Sequence, residues 1–212
     1  MPITNNRKVE KAELTNARAR TKRLLLKTAM AMFEQGSFPS ITDLANASDV
    51  SRATAYRYFP TQSSLISAVV DESLGPILSW QPQQESAEER IIELLSFAYP
   101  QMLEHEGTLR AALFISLQQW ANERAPMATQ SDRLVRGNRK RLLSLAVEPL
   151  KPTLSPEALQ RVIHALSLVY GSEVFMVLKD IWQLEIDGIQ DVTQWMAKAI
   201  IRQAKEDIEQ GK

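Results

Sequence analysis

Residues 40–65 read SITDLANASDVSRATAYRYFPTQSSL, and the reading of this stretch decides the fold. Two short helical patterns, 41–47 and 52–59, each follow a serine, Ser40 and Ser51, of the kind that caps a helix. A tight polar turn separates them, with Asp49 at a position that needs tolerance of left-handed backbone. If Ala55 faces the core, a step of about 100° per residue puts Phe59 on the same inner side. Ala53 and Arg57 then point outward, flanked by Thr54 and Tyr56. The pattern is a helix-turn-helix. An outward alanine allows close approach to a groove floor, and Arg52 and Arg57 reach guanine edges or phosphates. Thr54, Tyr56 and Tyr58 supply hydroxyl donors for phosphate oxygens. Ser40 and Ser51 head helices whose first amides favour anions, and Thr42 adds a contact in the first turn. The expected partner is double-stranded DNA.

Upstream, the spacing predicts a helix over 17–35, with Leu25, Ala29, Met32 and Phe33 on one stripe and Gly36 as its stop. Residues 1–16 read as a flexible basic arm. Arg18 and Arg20 are candidate contacts to the backbone or minor groove, against the plainer reading of a solvated tail. Downstream, a fourth helix is expected over 62–74. Gly75-Pro76 and Gln81-Pro82-Gln83-Gln84 then mark a domain joint.

The remaining segments also show helical spacing, near 86–105, 107–123, 128–148, 156–184 and 188–209. Pro100 is expected to kink or split the first of these. Ser155-Pro156-Glu157 makes a good helix start. The predicted fold is all-α: a three-helix helix-turn-helix head in a domain spanning 17–74, then a larger helical effector-binding and dimerisation domain over 75–212.

Apolar residues make up 44% of the 212-residue chain and charged residues 24%, ordinary proportions for a globular protein. No apolar run is long enough to cross a membrane, and the polar amino terminus lacks the core of a signal peptide, so a cytoplasmic protein is expected. There are no cysteines, which excludes disulfides and thiolate chemistry. His105 and His164 belong to no metal-spacing motif, and no glycine-rich phosphate loop is present. Neither a metal nor another cofactor is expected, and an all-α enzyme is disfavoured for want of a nucleophile–base pair. The formal net charge is zero, yet residues 1–60 hold ten Lys/Arg against five Asp/Glu. A basic first part on an acidic remainder suits a chain that meets a polyanion at one end. A second basic cluster, Arg133, Arg136, Arg139, Lys140 and Arg141, reads as a solvated helix face rather than a second DNA site.

The stretch SITDLANASDVSRATAYRYFPTQSSLISAVV, with the preceding MAMFEQG, resembles the DNA-binding domain of the TetR/AcrR family of transcriptional regulators. The resemblance covers about residues 20–72. Asp49 stands where that family commonly has glycine. The connector between the first two helices is a residue or two short. Gln62 replaces a lysine that commonly opens the fourth helix and grips a phosphate, so weaker and less salt-dependent binding is expected there.

In the segment 156–184, Leu159, Val162, Ile163, Leu166, Val169, Tyr170, Val177 and Ile181 form one stripe. Leu168, Phe175 and Trp182 form another. The last helix carries Ile189, Val192, Met196, Ala199 and Ile200 on one side and Trp195 off it. Helices apolar on more than one side need cover on more than one side. A homodimer through 156–184 and 188–209 meets that need, as the resemblance also implies. The resemblance further implies a repressor released from a palindromic operator by a small molecule bound in the body, with the 62–74 helix as the pendulum. Trp80, Phe97, Met102, Phe114, Trp120, Phe175 and Met176 are candidate pocket residues, and they suggest an apolar or aromatic effector. The alternative is a DNA-binding protein without ligand control that acts through a protein partner.

Overall fold

The structure is a computed structural model that describes the backbone of residues 4–124 and 138–210, with side chains from residue 16 onward. Among the described residues there is helix and no strand. The chain separates into two compact units.

The first unit gathers α1 (Thr4–Glu34), α2 (Ile41–Ala47), α3 (Arg52–Tyr58), α4 (Gln62–Ser73) and α7 (Glu106–Asn122). Its core is a single cluster of Leu25, Leu26, Ala29 and Phe33 from α1, Ile41, Leu44 and Ala45 from α2, Ala55 and Phe59, Leu65, Ile66 and Val69 from α4, and Ala111 and Ile115 from α7. Each large aliphatic or aromatic side chain so buried contributes about 1.5–3 kcal/mol relative to exposure. Helix α1 starts far earlier than residue 17 and takes in most of the segment expected as an arm. It ends as expected: Gly36 adopts φ +74°, and the Ser37 amide closes back on the Met32 carbonyl.

Helix α7 belongs with this unit, although the linear pattern assigns it to the 75–212 domain. Three contacts explain the placement. The last residue of α1, Glu34, accepts hydrogen bonds from the amides of Gly107 and Thr108, at 2.9 and 3.1 Å, and from the Thr108 hydroxyl. A carboxylate thus caps the first turn of α7 from outside its own segment. Gly107 is required there, because a Cβ would lie 2.3 Å from the Phe33 carbonyl oxygen. Farther along, Phe114 stacks on Phe38 at 4.9 Å and Gln119 donates to Ser63 of α4.

The second unit holds α5 (Gly75–Leu78), α6 (Ala87–Glu104), α8 (Asn138–Ala146), α9 (Pro156–Leu166), α10 (Glu173–Leu178) and α11 (Ile186–Glu209). The α6–α11 pair is its spine. Ile91, Leu94, Leu95, Ala98 and Tyr99 are buried on α6, and Ile189, Thr193, Ala197 and Ile201 recur every fourth residue on α11. Pro100 sits inside α6 without splitting it. Its missing amide leaves the Ser96 carbonyl without its usual i+4 donor, and Gln190 of α11 supplies one, while Gln194 donates to the Ser96 hydroxyl at 3.0 Å.

The single helix expected over 156–184 is broken. Ser155 caps α9 and Pro156 occupies its first turn, as expected. The chain then leaves helix until α10, and Gly171 takes φ +139°. The Arg139 guanidinium lies where a Cβ on Gly171 would stand, and it binds Glu173. The break resets the register. Val162, Leu166, Val169 and Tyr170 are buried, but Phe175, expected on the other stripe, is buried as well, while Val177 and Ile181 are exposed.

Candidate nucleic-acid interface

The two short helices match the expected pattern closely. Ser40 forms a full capping box with Asp43: its hydroxyl accepts the Asp43 amide, and the carboxylate accepts the Ser40 amide and hydroxyl at 3.0 and 2.6 Å. These two donors hold the Asp43 carboxyl below its ordinary value. Asp49 adopts φ +53° in the turn. Ser51 caps α3 by accepting the Thr54 amide at 3.2 Å.

Ala55 and Phe59 are buried, which pins the rotation of α3. Arg52, Ala53, Tyr56 and Arg57 are exposed, and Thr54 is half-buried at the edge. Arg18 and Arg20 are exposed on α1, and Thr42 is half-buried on α2. All twelve residues expected to meet DNA lie in the first unit.

Several of the expected donors are already occupied. The Ser40 hydroxyl proton is held by Asp43, and the Ser51 hydroxyl donates to Thr54 Oγ1 at 2.9 Å. Tyr58 donates to the Arg18 carbonyl at 3.1 Å, so its hydroxyl ties α3 to α1. Gln62 donates to the Pro39 carbonyl at 3.0 Å, bracing the connector ahead of α2. These four residues position the surface. On α3 the side chains free to reach outward are Arg52, Ala53, Tyr56 and Arg57. Arg57 also sits 5.9 Å from the Tyr58 ring centroid.

The candidate effector residues fall in both units. Phe114 and Trp120 fall in the first unit, where Phe114 is engaged by Phe38 and Trp120 lies under Arg124 at 4.4 Å. In the second unit Trp80, Met102 and Phe175 are buried, whereas Phe97 and Met176 are exposed. Trp80 Nε1 is buried with no hydrogen-bond partner among the described residues. A groove of about 390 Å³ between α9 and α11, lined by Ala158, Val162, Ala165, Ala199 and Ile200 among others, includes none of the seven. Burial pushes the hydroxyls of Tyr99 and Tyr170 well above their ordinary value, and Tyr99 donates to the Val169 carbonyl at 2.6 Å.

In the second basic cluster, Arg133 and Arg136 lie outside the described residues. Arg139 and Arg141 are structural, binding Glu173 and the Leu78 carbonyl respectively. Among the described residues, no group of three or more His, Asp or Glu is placed to hold a metal, and no helix is long and apolar enough to cross a membrane. Sequence reasoning missed Glu34 and Gly107. A glutamate near a helix end and an isolated glycine carry no local signal of a partner more than seventy residues away.

Residues 25–69 match the family model described as bacterial regulatory proteins, tetR family. No curated protein matches the chain. Among solved structures, a tetR-family transcriptional regulator from Streptomyces coelicolor is similar at TM-score 0.65 and 19% identity, over 90% of this chain and 86% of that one. A TetR transcriptional regulator from Rhodococcus sp. RHA1 is similar at TM-score 0.57 and 17% identity, over 88% of this chain and 96% of that one. The chain therefore carries a tetR-family amino-terminal domain within an all-helical fold shared with solved TetR transcriptional regulators.

Proposed function

We propose that the protein is a homodimeric, sequence-specific DNA-binding transcriptional regulator that acts as a repressor and leaves a palindromic operator when a small molecule binds its body. The observation that carries the DNA reading is the rotation of α3. Burial of Ala55 and Phe59 leaves Ala53, Tyr56 and Arg57 as an open surface, with a small residue at its centre and a cation beside it. Two such helices on one duplex face would read half-sites about one helical turn apart.

Dimerisation is supported by apolar surface left open on the isolated chain. Leu168 is 79% exposed, Trp182 69% and Trp195 70%, with Val177, Ile181 and Met196 also exposed. All lie in the 156–184 and 188–209 segments. Large aromatic side chains left in water at this density mark an interface. Effector control is supported by the buried, unpartnered indole N–H of Trp80, a donor that a ligand acceptor would satisfy. A ligand that did so would have to favour one head spacing over the other to act as a switch.

The experiment is selection of bound duplexes from a random library, followed by mobility shift of the selected sequence. The reading expects an enriched inverted repeat, bound by a dimer. Recovery of no preferred sequence would overturn it. Loss of the shift on adding an apolar or aromatic compound, with a change in tryptophan fluorescence, supports effector control.

A further inference from the structure

We infer that the joint between α9 and α10, residues 167–172, is a two-state register switch latched by Arg139. Released, the chain from 156 to 181 runs as one helix and presents a different apolar face. The joint and the groups that hold it lie within the second unit.

Local sequence does not end α9 at Leu166. No proline follows Pro156 before residue 184, and Gly171 is the one glycine in that stretch. The capping residue, Ser167, keeps helical backbone, and no glycine closes the end. On the near side of the joint the Leu168 and Val169 amides reach carbonyls three residues back, and on the far side Val174 and Phe175 do the same. Between residues 156 and 182 only Gly171 has positive φ. Straightening therefore asks a change in the sign of φ at one residue.

What holds the break is tertiary. In a continuous helix the Ser167 and Val169 carbonyls would accept from the amides of Gly171 and Glu173, four residues on. Here Arg139 of α8 donates to the Ser167 carbonyl at 3.4 Å, and Tyr99 of α6 donates to the Val169 carbonyl at 2.6 Å. The Arg139 guanidinium also pairs with Glu173 and fills the space beside Gly171. Two outside donors thus occupy the two carbonyls that a straight helix would use itself. Both partners of the Arg139–Glu173 pair are partly in water, so the latch is open to competition.

Register decides what the switch does. Leu166 and Phe175 are both buried, at 0% and 1% exposure, although nine residues of α-helix would set them about half a turn apart. The joint supplies that half turn. Extending α9 straight through would bring Val177 and Ile181, now 49% and 69% exposed, to the inner side and Phe175 to the outer. One aromatic is exchanged for two aliphatics, so both registers bury similar apolar surface. The outward set differs, and with it the surface offered to a second subunit in the dimer reading above. The joint itself does not depend on that reading.

The test is hydrogen exchange by mass spectrometry over 167–176, with far-UV circular dichroism, on the full chain. Gly171→Ala removes the residue that tolerates φ +139° and supplies a strong helix former. It should slow exchange across the joint about tenfold or more and raise helix content. Arg139→Gln, and wild type in about 0.5 M sodium chloride, should shift the same way by less, with the variant insensitive to salt. Lys140→Gln, the next cation along α8, should change nothing. Unchanged or faster exchange in Gly171→Ala, with no helix gained, overturns the inference. Should that variant fail to fold, Arg139→Gln decides, and exchange identical to wild type overturns it. A monomeric wild type leaves these outcomes standing and counts against the dimer reading alone.

Discussion

At the scale of single residues, the surface divides into side chains that hold and side chains that reach. Ser40, Ser51, Tyr58 and Gln62 spend their donors within the head, while Arg57 and Tyr56 face outward. Arg57→Ala with Tyr56→Ala should abolish the shift of a selected duplex with helix content unchanged by circular dichroism. Ser51→Ala should act differently, lowering head stability by about 1 kcal/mol in denaturant unfolding through loss of a cap. Asp43 adds a pH dependence. Its carboxyl is lowered from 3.8 by the Ser40 hydroxyl and amide, so its contribution is complete above that ordinary value and lost as pH falls through the lowered one. Thermal unfolding of wild type should therefore fall more steeply on acidification than that of Asp43→Asn, compared between about pH 5 and 2.

Between elements, the informative joint is the one where α1 ends and α7 begins. A carboxylate from one helix caps the other, and a glycine lets the two backbones meet. Gly107→Ala should cost roughly 1–3 kcal/mol, because the clash is with backbone that has nowhere to move. Glu34→Ala should cost about 1 kcal/mol by leaving the first amides of α7 unpaired. Denaturant unfolding of both variants, followed by fluorescence of Trp120 on α7 with the other tryptophans replaced, checks the order. Equal stability of Gly107→Ala and wild type would contradict the close approach.

For the whole molecule, the question is what covers the outward side of α9–α11. Trp195→Glu and Trp182→Glu place charge on surface that the proposed dimer would bury, at a cost of several kcal/mol if it does. Sedimentation should show a dimer for wild type and a monomer for the pair of changes, with DNA affinity falling because two heads no longer bind as one. A monomeric wild type would turn attention to a different partner for the same apolar surface.

Much of this was legible in the chain because it is local. Caps, turn residues and 3.6-residue spacing act within a few positions, which is why Ser40, Ser51, Asp49, Ala55 and Phe59 stand where the spacing puts them. The break at Gly171 was not legible, since it depends on Arg139 arriving from another helix. Nor was the uninterrupted run of α6 through Pro100, which relies on Gln190 from α11 to serve the stranded carbonyl. Sequence by itself determined the all-helical class and the outward face of α3, because short-range hydrogen bonding and periodicity suffice for both. Tertiary structure alone decided that α7 joins the head, that 156–184 is two helices, and that Tyr58 and Gln62 brace the surface. Each of those outcomes turns on a partner distant in the chain, and no periodic pattern encodes which distant group will arrive.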